Sequence, residues 1–126
     1  MHNKALWTPS SDLIDSSLMS HFINEINSEY NLDISSYKDL HHWSVEHFDI
    51  FWSKVLSFSK IIYYGEFEKV IDCPDKMPGA EWFKGIKLNY AENLLKFNDS
   101  AIAIEFHNES GLKATLSYKE LQQKVS

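Results

Sequence analysis

Three histidines, His41, His42 and His47, form the one histidine cluster in a chain of 126 residues. Helical metal ligands want three- or four-residue spacing, which puts their side chains on one face. Neighbours one apart point away from each other, and residues five or six apart lie far round the helix, so the cluster reads as structural or surface. His107 closes a strand-like run and reads as exposed. The single cysteine, Cys73, has no internal disulfide partner and no neighbour resembling a metal-ligand pair. Glu25, Asp39, Glu46, Glu92 and Glu120 fall on helical segments and read as caps or solvated faces. A general acid–base pair would need two such groups in one pocket. The four glycines, Gly65, Gly79, Gly85 and Gly111, form neither G-x-G nor a Gly-Lys-Ser/Thr loop, so nothing here cradles a phosphate. No catalytic, cofactor-binding or metal-ligating residue is assigned.

The elements that would carry these residues start with a helical half. Met1 to Pro9 reads as an extended arm anchored by Trp7, with Thr8 pushed away from helix by Pro9. Ser10, Ser11 and Asp12 offer caps for a short turn through Ile14. A helix is expected from about Ser17 to Tyr30, where Phe22, Ile26 and Tyr30 recur at steps of four. Its other faces, with Asn24, Glu25, Asn27 and Glu29, show nothing more than solvation. After a break at Asn31 to Ile34, Ser36 caps a helix from Tyr37 to about Trp43. Ser44 or Glu46 then begins a third, with Val45, Phe48, Phe51, Trp52, Val55 and Leu56 as its stripe.

The second half is shorter in its elements. Ile61 to Tyr64 is β-branched and aromatic, and Gly65 ends it. A short strand is expected around Val70 and Ile71, then a turn at Cys73 to Lys76. Pro78 and Gly79 open a rigid loop holding Trp82 and Phe83. Asn89 caps a short helix, with Glu92 placed to reach back as in a capping box. Tyr90, Leu94 and Leu95 are spaced to share a face of that helix. Ala101 to His107 reads as a mostly buried strand, Lys113 to Leu116 as its hairpin partner, and Ser117 with Glu120 as the capping box of a last helix. That helix reaches the end of the sequence uncapped, which reads as a cut sequence. The fold class expected is α+β.

Hydrophobic residues make up 44% and aromatic residues 14% of the chain, enough for a packed core. Net charge is −6, which disfavours nucleic acid and anionic membrane surfaces as partners. No apolar run resembles a signal peptide or spans a bilayer, so the expected compartment is cytoplasmic and the two Asn-x-Ser matches at Asn98 and Asn108 read as chance. Trp7, Trp43, Trp52, Trp82 and Phe83 could stack a ligand. The reading preferred is that they anchor a core or a docking surface, since a buried ring removes roughly 150–250 Å² from water.

The run W-F-x-G-x-x-L-N-Y-A-E-N-L-L from Trp82 to Leu95 resembles the N-terminal region of the acetyl-CoA and acetoacetyl-CoA synthetases. The resemblance extends to Trp7-Thr8-Pro9, Tyr37 to Leu40, His42-Trp43-Ser44-Val45 and Phe51-Trp52. Ala101 to Ser126 is similar to the start of the large adenylate-forming domain. What the resemblance implies is a two-step ligase: Mg-ATP activates an acid, acetoacetate above all, to an acyl-adenylate, and CoA displaces AMP. It also implies a mainly helical N-terminal domain over 1–97 and the start of the adenylation domain over 98–126. The family's Ser/Thr/Gly-rich ATP loop and its later catalytic lysine have no counterpart here. So ATP, Mg²⁺ and CoA are expected of a longer protein, no ligase activity is expected of this chain, and its expected partner is the remainder of the adenylation domain, in cis or as a separate chain. The alternatives are a free-standing module docking on a separately encoded adenylation domain, and a small-ligand binder using the aromatic set.

Overall fold

Serines start the first three helices. Ser10 Oγ accepts from Leu13 N at 3.4 Å, Ser17 Oγ from Ser20 N at 3.1 Å and Ser36 Oγ from Asp39 N at 3.2 Å, each satisfying a backbone donor that a helix start leaves open. The computed structural model describes residues 6–125, so the first five positions of the expected N-terminal arm lie outside the described residues. Helices α1 (Ser11–Asp15), α2 (Leu18–Tyr30), α3 (Tyr37–Glu46) and α4 (Phe48–Phe58) come first. Then follow β1 (Ile71–Asp72), β2 (Glu81–Trp82), α5 (Tyr90–Leu94), β3 (Ile102–Asn108), β4 (Gly111–Ser117) and α6 (Tyr118–Val125). The class is α+β, with two antiparallel strand pairs, β1 with β2 and β3 with β4.

The chain divides into two compact units. One comprises 6–60 with Val70–Trp82, the other Ile61–Lys69 with 83–125.

In the first unit the core is built by Phe22, Ile26, Ile34 and Leu40, with Ile23, Trp43, Phe51, Val55 and Phe58 packed against it. Ile26 is completely buried. Phe22 sits edge-on to Phe51 and Phe58, with centroids 5.8 and 5.0 Å away, the geometry that ring quadrupoles favour. Asn31 ends α2 in the left-handed region, φ 52°, a conformation that asparagine tolerates.

The expected boundary after Trp43 is corrected: α3 runs on to Glu46 and the break falls at His47. His47 N donates to the Trp43 carbonyl at 2.9 Å and its own carbonyl accepts from Phe51 N at 2.8 Å. One residue thus closes α3 and opens α4, with no capping side chain to mark the place in the sequence. Val45 therefore belongs to α3, where it is exposed, and not to the α4 stripe.

In the second unit, Ile61 to Tyr64 makes one isolated bridge, Tyr64 with Lys87, rather than a strand. The hairpin β3–β4 is longer on its return side than expected and irregular at two points. Its burial is a second correction. Ile102, Ile104 and Phe106 are 54, 48 and 56% exposed. Among the described residues β3 pairs with β4 alone, so one hairpin has too little around it to cover a strand that is apolar at most positions.

Candidate functional site

The segment from Met77 to Leu95, which contains the run that carries the resemblance, contributes separately to each unit. In the first unit, β2 pairs with β1 in the register Ile71 to Trp82 and Asp72 to Glu81. The turn expected at Cys73 to Lys76 is present, with Lys76 N donating to the Cys73 carbonyl at 3.1 Å. Pro78 follows a cis peptide bond. Trp82 then packs edge-on against Trp52 and Phe48, with centroids 5.8 and 6.5 Å apart, so the α4 stripe receives an aromatic from β2.

In the second unit, Phe83 packs edge-on against Phe67 at 5.1 Å. Trp82 and Phe83 are adjacent in sequence yet serve different packing groups, and Phe83 sits at a positive φ of 46°. The Tyr64–Lys87 bridge is closed by two backbone bonds of 2.8 Å. Beside it the backbones approach so closely that a Cβ at Gly65 would lie 2.6 Å from the Gly85 carbonyl oxygen, and one at Gly85 would strike the Glu66 carbonyl. Both glycines also have positive φ, 92° and 107°, so these positions are closed to side chains twice over.

Helix α5 is fastened by its polar residues. Asn89 Oδ1 caps it by accepting from Ala91 N and Glu92 N at 2.9 and 3.3 Å. The reciprocal half of the expected capping box is not made: Glu92 instead accepts from the Tyr64 hydroxyl at 2.6 Å, which raises the Tyr64 pKa. Asn93 clips the chain at Ile62 by accepting from its N–H at 2.8 Å and donating to its carbonyl at 2.9 Å. A side-chain amide thereby does the work of a neighbouring strand. Of the expected apolar face, Tyr90 and Leu94 are exposed and Leu95 is half-buried. The second capping box is complete. Ser117 Oγ accepts from Glu120 N at 3.3 Å while the Glu120 carboxylate accepts from Ser117 N and Oγ at 2.9 and 2.7 Å. Those bonds hold Glu120 below the ordinary carboxylate range.

Titratable groups outside this segment fall into place as partners of the scaffold. His42 meets Glu46 at 3.4 Å, while His41 leans on Tyr37 and His47 on Trp43. Among the described residues no group of three or more His, Cys, Asp or Glu side chains could hold a metal ion. Asp39 is held below its usual range chiefly by the Ser36 hydroxyl at the cap. The polar side of α2 does more than face solvent. Lys54, only 9% exposed, donates from α4 to Glu25 Oε1 at 2.8 Å and Glu29 Oε2 at 2.6 Å, and Asn27 clips Ile34 through its N–H and carbonyl, both at 2.9 Å. These residues fasten helix and loop rather than merely face water.

The aromatic set packs separately within each unit. Trp7 is 73% exposed, Trp43 packs on the α2–α3 core and onto Tyr30, Trp52 meets Trp82, and Phe83 meets Phe67. Gly65 and Gly85 are occupied by close backbone approach, Gly111 makes the hairpin turn, and the starts of α1, α2, α3, α5 and α6 are closed by their own Ser or Asn side chains. No described helix is long and apolar enough to cross a membrane.

Residues 37–94 match the family described as acetyl-coenzyme A synthetase N-terminus. Over these residues the chain is similar to that family. The matched span contains α3, α4, both strands of the first pair and α5. The chain is also 40% identical over 101 residues to the acetoacetyl-CoA synthetase of Xenopus tropicalis, covering 79% of this chain and 15% of that protein. It is 32% identical over 127 residues to the malonamoyl-CoA synthetase of Penicillium aethiopicum, covering 95% of this chain and 17% of that one. Among solved structures, the acetoacetyl-CoA synthetase from Streptomyces lividans superposes with a TM-score of 0.83 at 28% identity, over 98% of this chain and 20% of that one. The chain is thus homologous to an acetoacetyl-CoA synthetase N-terminal region and spans about a fifth or less of the length of these relatives.

Proposed function

We propose that this chain is the N-terminal supporting region of an ATP-dependent acyl-CoA ligase, of the kind that joins acetoacetate to CoA, and that it takes no direct part in the chemistry. The observation that carries this reading is the likeness to the Streptomyces lividans acetoacetyl-CoA synthetase over 98% of the chain. The residues support it. The polar groups described above are engaged in caps, clips and a buried lysine cluster. ATP, Mg²⁺ and CoA belong to a longer ligase, and the partner of this region is the remainder of the adenylation domain. In this reading residues 98–126, with the exposed β3–β4 hairpin, begin that domain, residues 1–97 form the helical region before it, and the compartment is the cytoplasm.

The test is a chimera in which this chain replaces the matching fifth of the Streptomyces lividans enzyme, assayed for acetoacetyl-CoA formation from acetoacetate, ATP and CoA. The expected result is a soluble ligase with activity close to the parent's. A soluble, folded chimera that forms no thioester would contradict the reading.

A further inference from the structure

We draw no further inference here: the strongest candidate, the open apolar cleft of about 430 Å³ in the first unit floored by Phe22, Leu40, Phe51, Val55 and Phe58, carries nothing because nothing in the structure shows what covers it.

Discussion

Two asparagines, Asn27 and Asn93, each satisfy both backbone groups of one distant residue, Ile34 and Ile62. Ile34 is buried, so Asn27→Ala leaves a donor and an acceptor with no protein partner, each worth about 1–3 kcal/mol when left unmade. Urea unfolding is expected to show a lower midpoint for Asn27→Ala at an unchanged slope. Asn27→Asp should fall between, because a carboxylate accepts from Ile34 N but cannot donate to its carbonyl. Lys54 gives a pH prediction. Hydrogen bonds to Glu25 and Glu29 raise the lysine above its ordinary 10.5, so its contribution is present below that value and lost as pH rises through the raised one. Bonds from Lys54 and then Tyr30 lower Glu29 below its ordinary 4.5, so that contribution is present above 4.5 and lost as pH falls through the lowered value. The melting-temperature difference between the native chain and Lys54→Met is therefore expected to be a plateau between these limits that shrinks at both ends; a flat difference would contradict it. None of this was legible in the sequence. The partners lie 7, 25, 29 and 31 residues apart, and an Asn or Glu opposite an apolar stripe looks the same whether it faces water or a lysine.

The starts of α1 and α3 were legible from their capping residues Ser10 and Ser36, and α2 from its apolar repeat, in which the fully buried Ile26 was already marked by its spacing from Phe22. Ile26→Ala should cost about 2–5 kcal/mol and Ile26→Val about 0.5–1.5, measured by chemical unfolding; near-equal losses would mean that the core closes over the missing atoms. The last helix was legible too, since Ser117 and Glu120 are adjacent across one turn and nothing else competes for them. At α5 the same pattern was only half realised, because the Tyr64 hydroxyl, 28 residues away, takes the Glu92 carboxylate. The α3–α4 break at His47 left no signal, since backbone groups alone make it. Ser117→Ala, which removes the acceptor for Glu120 N, is expected to destabilise α6 by about 1 kcal/mol, read as earlier loss of amide protection in 118–125.

For the whole molecule, the sequence carried the fold class and the family, through rare aromatic and asparagine clusters in order, but it misjudged the surface of β3. Alternating apolar residues say that a strand is to be covered and cannot say whether the covering atoms lie in the same 126 residues. Ile104→Ser is therefore expected to change the stability of this chain by no more than about 0.5 kcal/mol. In the ligase chimera the same substitution should lower the melting temperature measurably, and equal effects in both would argue that the hairpin docks on nothing. The central claim is that this region holds up a ligase without handling nucleotide. The most direct test is ATP–pyrophosphate exchange with acetoacetate on the isolated chain, once circular dichroism shows it folded. The account predicts exchange no faster than buffer alone, and clear turnover would contradict it.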